Sequence, residues 1–377
     1  MFWFKLKKFF LILLNLEFNI PKKNKIFLVT SDKSNFFEKL INKKILIFNR
    51  KKFNFYILIC LLIKKKSVNK ILYLDYLEAY LNFTNAKVLI STIDNNPVYW
   101  SIKKRIPNLK VIIIQNGWRY KEGDIFDNKN LIFNKDFKVD YFFTFNLSIS
   151  KLYSKYIKAN FVEIGSYRNN RNVIRKERKN NKVLFISEFV NFKKKNNNNL
   201  DNYYFKPEIM LLPHLKKICN KYDLNLEVLP KVFSDDEYLF FKKYLGNKDW
   251  SFKKKITNPY RYIDEINIVV FLTSTLGYEA IARNKKVLGF CCKGTPQFPK
   301  KKFAKTFAWP VYSHKKNGFF WINDLSLKIF SKKFDRLVKI DKNKWDKRIS
   351  KYKKDIVIYN QNNFKLKKII SDVCKNI

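Results

Sequence analysis

Residues 264–290 read DEINIVVFLTSTLGYEAIARNKKVLGF, and this stretch constrains the fold more than any other. Residues 266–272 form an almost unbroken apolar run rich in β-branched side chains, which predicts a strand buried on both faces. Thr273, Ser274 and Thr275 supply hydroxyls and an N-cap, and residues 276–284 read as a short helix. A second apolar run, KVLGFC, follows, so the stretch is a βαβ unit in a parallel sheet. Its tight turn suits an anion, because a helix N-terminus presents unpaired N–H groups and a positive dipole end. Ser274 and Thr275 add donors, and Gly277 would let a ligand approach the backbone. With Thr275 as N-cap, Glu279 falls one position past the capping-box site, where it could accept hydrogen bonds from sugar or ribose hydroxyls. The same pattern also describes an ordinary capped helix with Glu279 in solvent.

A chain of 377 residues exceeds what one core usually absorbs, and 46% hydrophobic residues suffice for two. The formal net charge of +47 predicts a surface that attracts anions. Its lysines are scattered, with no arginine-rich tract or nucleic-acid module, so no nucleic-acid partner is expected. Five cysteines without metal-ligand spacing suit a reducing cytosol, and only two histidines argue against a histidine metal site.

Along the chain, residues 1–20 are apolar with Lys5, Lys7 and Lys8 embedded, too short to span a bilayer. Strands are expected at 25–30, 44–49, 86–92, 109–115, 139–145 and 161–164, and helices at 53–63 and 71–81. Three polar turns follow such strands: 94–96, 116–120 and 165–170. Residues 169–181 (NNRNVIRKERKNN) are polar and basic without an apolar period, which reads as a linker. The pattern then restarts with a strand at 182–187, a helix at 207–221, a strand at 224–229 that delivers Pro230 and Lys231, and a helix at 237–245. After the βαβ unit comes a basic loop at 293–305, and the chain from 322 onward reads as helical and charged. These pieces predict an α/β protein with two Rossmann-like domains facing a cleft, spanning 1–172 and 182–345, with a helical extension at 346–377.

The segments ISTIDNNPVYW, IIIQNGWRYKEGDIF, VDYFFTF, EIGSYRNN and KVLFISE, in that order, resemble the bacterial surface-carbohydrate (O-antigen) biosynthesis family. That family is similar to GT-B glycosyltransferases and, more distantly, to CDP-glycerol glycerophosphotransferases. The resemblance implies a cytoplasmic enzyme moving a sugar, or a sugar-like phosphate, from a nucleotide donor to a surface glycan. Carried over, Ser274, Thr275 and Glu279 match the donor turn, with Ser187 and Lys231 near the same nucleotide. Asn95, Gln115, Asn116, Gly117 and Arg119 fall on the acceptor side. The glycerophosphotransferase relatives carry a histidine base where this chain has Asn116, which cannot take a proton. Asp94 and then Asp124 are the candidate bases, since a carboxylate at a strand's carboxyl end can deprotonate an acceptor hydroxyl within reach. Asp94 could equally form an Asx turn that caps the next helix.

The resemblance further implies a metal-independent transferase with no cofactor beyond its nucleotide donor. The helix start at 274–275, with Lys231 or Arg283, would stabilise the departing diphosphate. A non-catalytic scaffold of a polysaccharide assembly complex and a nucleotide-sugar epimerase are the alternatives. A lipid-linked acceptor and the basic surface also imply peripheral association with the anionic inner face of the cytoplasmic membrane.

Overall fold

The computed structural model describes residues 14–32, 34–50, 52–65, 72–119, 125–127, 131, 136–175, 180–191, 205–254, 256–292 and 317–375. Two short strands, β1 (Leu16–Glu17) and β4 (Phe53–Asn54), pair in parallel beside the first of two larger sheets. That sheet contains β2 (Ile26–Val29), β3 (Leu46–Ile47), β5 (Val88–Ser91), β6 (Lys110–Ile114), β7 (Lys138–Thr144) and β8 (Lys158–Glu163). Its order is β3-β2-β5-β6-β7-β8, and every pairing is parallel.

The second sheet is built from β9 (Lys182–Ile186), β10 (Asn225–Leu229), β11 (Trp250–Phe252), β12 (Ile268–Phe271), β13 (Lys286–Phe290) and β14 (Trp321–Ile322). It is also wholly parallel, in the order β11-β10-β9-β12-β13-β14. The strand order reverses between β9 and β12, and such a switch point leaves a crevice at the carboxyl ends of the strands. All four residues of β12 are buried, as a strand covered on both faces requires. Each such side chain contributes about 1.5–3 kcal/mol of apolar burial. The α/β class and the two facing Rossmann-like sheets are those expected from the βαβ pattern.

Some elements differ from the sequence reading. Residues 53–54 are strand, and the helix begins after them, at Phe55–Lys65, because β4 pairs with β1. A domain boundary after residue 345 falls inside one continuous helix, Lys342–Ile356. Its buried Trp345, Ile349 and Ile356 belong to the core of the second sheet's neighbourhood. The last helix, Phe364–Lys375, instead returns to the first sheet, where Leu366, Ile370 and Cys374 pack with Phe37, Ile41 and Tyr167. Asn169 and Asn170, which read as the start of a polar linker, are fully buried in a short helix, Tyr167–Asn170. They escape a periodicity test because what buries them is a set of polar contacts from distant segments. The basic loop at 293–305 and the lysine- and asparagine-rich loop at 192–202 lie outside the described residues.

Candidate functional site

The crevice at the second sheet's switch point is a cleft of about 440 Å³. Ser187 after β9, Pro230 and Lys231 after β10, and Ser274 and Leu276 after β12 line it, with Lys253 and Lys254 following β11. Three of the five donor-side residues named from sequence therefore share one cavity. Ser274 is the N-cap of helix Thr275–Ala282, one position earlier than the sequence suggested, and its side chain makes no capping bond. The helix start is thus left to present its N–H groups towards the cleft.

Glu237 organises the opposite wall. It is fully buried and accepts hydrogen bonds from Ser187 Oγ (2.5 Å), Lys231 N (2.8 Å) and Val232 N (3.3 Å). Ser234 caps helix Asp235–Leu245 by accepting from the Glu237 N–H. The use of Glu237 to fasten Lys231 to Ser187 was not legible in the sequence. Beside it, Thr273 donates to Glu188 Oε2 at 2.5 Å, tying the ends of β12 and β9 together.

On the first sheet, the Gln115–Arg119 turn is organised by Asp94, which is fully buried. Asp94 Oδ2 accepts from Arg119 Nε (2.6 Å) and Tyr153 OH (2.6 Å). Asp94 Oδ1 accepts from Arg119 Nη2 (2.6 Å) and Asn116 N (3.2 Å). Four donors fill the roughly four acceptor positions of a carboxylate, so Asp94 has no lone pair facing an acceptor hydroxyl. It positions the turn and is not placed as a base. Nor does it cap the next helix: Asn96 does, accepting from Val98 N at 3.1 Å. Gln115 braces the turn from within, donating to Gly117 O and accepting from Phe145 N, both at 2.8 Å. Asn116 Oδ1 accepts from Arg119 Nη2 at 3.3 Å, while Asn95 is exposed. Asp124 lies outside the described residues.

The acceptor-side turn and the donor-side helix start touch each other. Thr275 Oγ1 accepts from the Trp118 N–H at 2.9 Å, and the Trp118 and Tyr278 rings stack with centroids 4.3 Å apart. Thr275 is therefore an interdomain contact and not a second hydroxyl in the cleft. Gly277 is also spent on packing: a Cβ there would lie 2.1 Å from the Phe271 ring, so its purpose is close helix–strand contact. Glu279 is buried and accepts from Tyr260 OH at 3.1 Å, with Ser166 also bonded and Arg168 and Arg283 nearby. Burial outweighs these partners and pushes its carboxyl up to about 7. Glu279 thus faces the domain interface, not the solvent or the cleft lining.

Arg283 is likewise misplaced by sequence reasoning. It stands at the far end of the helix, paired with Asp264 through Nε (2.8 Å) and Nη2 (2.5 Å). It donates onward to Asn169 Oδ1 and to the carbonyls of Asn172 and Val173, joining the two halves. Sequence reasoning also passed over Asp32, beyond β2 at the first sheet's switch point. Burial alone would raise its carboxyl, but Ser34 and the charges of Arg171 and Arg168 hold it below the usual range. Only its position after a strand's carboxyl end could have marked it. Among the described residues no group of side chains is arranged to hold a metal ion.

Two parallel Rossmann-like sheets, with a crevice at a switch point and helices crossing back at the C-terminus, define a fold of the GT-B glycosyltransferase type. Within that class the chain belongs to the family described as "putative O-antigen biosynthesis protein", which matches residues 112–373. No curated protein matches the sequence. Among solved structures, the chain is similar to a putative UDP-N-acetylglucosamine 2-epimerase from Listeria monocytogenes, with 10% identity and a TM-score of 0.54, covering 94% of this chain and 96% of that one. It is similar to a glycosyltransferase from Rickettsia africae ESF-5, with 12% identity and a TM-score of 0.51, covering 95% and 100%. The wall teichoic acid polymerase TagF gives 11% identity and a TM-score of 0.51, covering 94% and 90%. At these identities the likeness is one of fold.

Proposed function

We propose that this chain is a transferase that moves a sugar, or a sugar-like phosphate, from a nucleotide donor to a surface-glycan acceptor. The observation that carries the reading is the 440 Å³ cleft at the second sheet's switch point, where Ser187, Lys231, Lys254 and the uncapped start of helix Thr275–Ala282 converge. Lysines and helix N–H groups there suit a diphosphate, whose charge grows as the bond to the sugar breaks. The reaction needs no metal in this scheme, because fixed positive groups take the leaving charge. Asp124 would deprotonate the acceptor, with Asp94 holding the Gln115–Arg119 turn in place. The acceptor is a glycan, lipid-linked at the inner face of the cytoplasmic membrane.

The saturated carboxylate of Asp94 favours a second reading, a binding protein of the assembly machinery that has lost its base. The test is a panel of nucleotide-sugars and CDP-glycerol, read by thermal shift and calorimetric titration. A ligand at about 100 times its Kd stabilises the native state by about 2.7 kcal/mol. Lys231→Ala with Lys254→Ala should lower the affinity roughly tenfold, the scale of one charged hydrogen bond. If no nucleotide shifts the melting temperature, or the double variant binds as the parent does, the cleft is not a donor site. Consumption of donor only with a glycan acceptor identifies the transferase. Conversion without acceptor identifies an epimerase, and binding without turnover the assembly protein.

A further inference from the structure

The helix Phe55–Lys65 is apolar nearly all round, yet only part of it is covered. Ile57 and Leu61 enter the core, while Tyr56, Ile59, Cys60 and Ile63 are exposed, Ile63 at 74%. Positions 56, 59, 60 and 63 recur at three- and four-residue spacing, so they form one stripe along the helix. The strip 14–20 extends that stripe. β1 lies against β4, the Phe18 and Phe55 rings are 5.2 Å apart, and Phe18 and Ile20 are each 63% exposed. Isolated exposed apolar residues are ordinary, but a continuous apolar face marks an interaction surface.

The charge around this face identifies its partner. Lys22 and Lys64 border it as exposed residues, while Lys23 donates to Phe83 O and Lys52 pairs at 2.9 Å with Glu17 on β1. An apolar stripe edged by lysines fits an anionic lipid surface, with side chains entering the acyl boundary and ammonium groups meeting phosphates. A protein partner of a chain with net charge +47 would need no apolar stripe to be attracted, and a second copy would be repelled by the same lysines. Residues 1–13 (MFWFKLKKFFLIL) join the described chain beside this face and repeat the same composition, with three lysines among apolar side chains.

We infer that the face formed by helix Phe55–Lys65 and residues 14–20 docks the protein on an anionic bilayer, side-on through its first domain. The inference deepens the proposed function, since it rests on the reading that the acceptor is presented at a membrane. β2 and β3 are parallel, so the chain leaves Ile47 at the carboxyl edge of the sheet, while residues 20–23 enter β2 from its amino edge, and the face lies along the side of the sheet.

Cys60 provides a direct probe, because it is exposed within the stripe and Cys219, Cys291, Cys292 and Cys374 are buried. The full chain is labelled there with an environment-sensitive fluorophore and mixed with vesicles of neutral phosphatidylcholine alone or with added phosphatidylglycerol. The expected result is a blue shift only with anionic vesicles, with quenching by bilayer-embedded quenchers. In flotation, Tyr56→Ser, Ile59→Ser and Ile63→Ser together should lower vesicle binding by about tenfold or more, since the apolar contribution to partitioning is lost. Ile63 is 74% exposed, so Ile63→Ser alone should lower vesicle binding while keeping the parent's melting temperature and nucleotide binding. Tyr56 and Ile59 are only 38% and 37% exposed, so the triple variant is read by flotation at a temperature where it is folded. The inference is overturned by flotation unaffected in the triple variant, or by a probe shift that depends on protein concentration without lipid, which means self-association. It is equally overturned if the probe meets lipid only after deletion of residues 1–13, which makes that segment the occupant. Nucleotide binding is measured separately, so loss of the donor-site reading and loss of this one are distinguishable.

Discussion

Glu279, Asp94 and Asp124 are the carboxylates marked for chemistry from the sequence; Asp124 lies outside the described residues, and the other two are consumed by structure. Asp94 is filled by four donors, and Glu279 sits between Tyr260, Ser166 and two arginines at the junction of the halves. The sign of the Glu279 shift sets a test. Its carboxyl is raised from 4.5 to about 7, so across that window the folded chain keeps a proton that the unfolded chain has released. Stability attributable to this group is therefore full below about pH 4.5 and falls as pH rises towards 7, by roughly 3 kcal/mol at 1.36 kcal/mol per unit. Glu279→Gln should flatten that part of the pH profile and raise the melting temperature at pH 8, with nucleotide affinity unchanged. Denaturation midpoints of parent and variant from pH 5 to 8 check it; parallel profiles, or a variant that loses nucleotide, return Glu279 to the donor site. The resemblance pointed to Ser187, Lys231 and Ser274, and because strand ends and helix starts are local features the fold brings these three to one cleft. Sequence could not reveal that Thr275 answers Trp118, 157 positions away, or that Gly277 exists to admit the Phe271 ring.

At the scale of elements, the parallel strands were legible because a strand buried on both faces carries an apolar run: β12 is apolar throughout, β6, β9 and β13 are apolar after a leading lysine, and β5 is apolar up to Ser91. Elements held by distant polar contacts were not. Asn146 donates to Ile356 O, Asn170 to Asn363 Oδ1, and the Asn360 N–H to Asn170 Oδ1, so the returning C-terminal segment is fastened by asparagines that look like loop. Gly165 shows how tight the crossing is. Its φ is +74°, and a Cβ there would lie 1.7 Å from Ile358 O. Gly165→Ala should therefore push the 356–363 crossing off the first sheet and cost more than about 2 kcal/mol, combining strained backbone with a lost contact. Limited proteolysis should then cut between the helices Lys342–Ile356 and Phe364–Lys375, where the parent resists. A variant that keeps the parent's stability and cleavage pattern would mean that the crossing yields easily.

At the scale of the whole molecule, several contacts among the described residues join the two sheets, and three of them differ in kind. Trp118 stacks on Tyr278, Arg283, held by Asp264, donates to Asn169 Oδ1 and the 172–173 carbonyls, and the C-terminal helix completes the first core. The third matters most for folding. Phe37, Ile41 and Tyr167 of the first half are covered by Leu366, Ile370 and Cys374, residues contributed only after the second half has been traversed. An apolar face left open in this way loses its transfer free energy, on the order of 1.5–3 kcal/mol for each large side chain. The first half should therefore not outlast the second, and calorimetry on the full chain should show one cooperative transition whose calorimetric and van't Hoff enthalpies agree. Ending the chain after residue 357 should split that transition, with the first half melting earlier and a peptide of residues 358–377 restoring it when added in excess. Two transitions in the full chain, or a truncated chain that still melts as one at the parent's temperature, would mean that each half carries a sufficient core of its own.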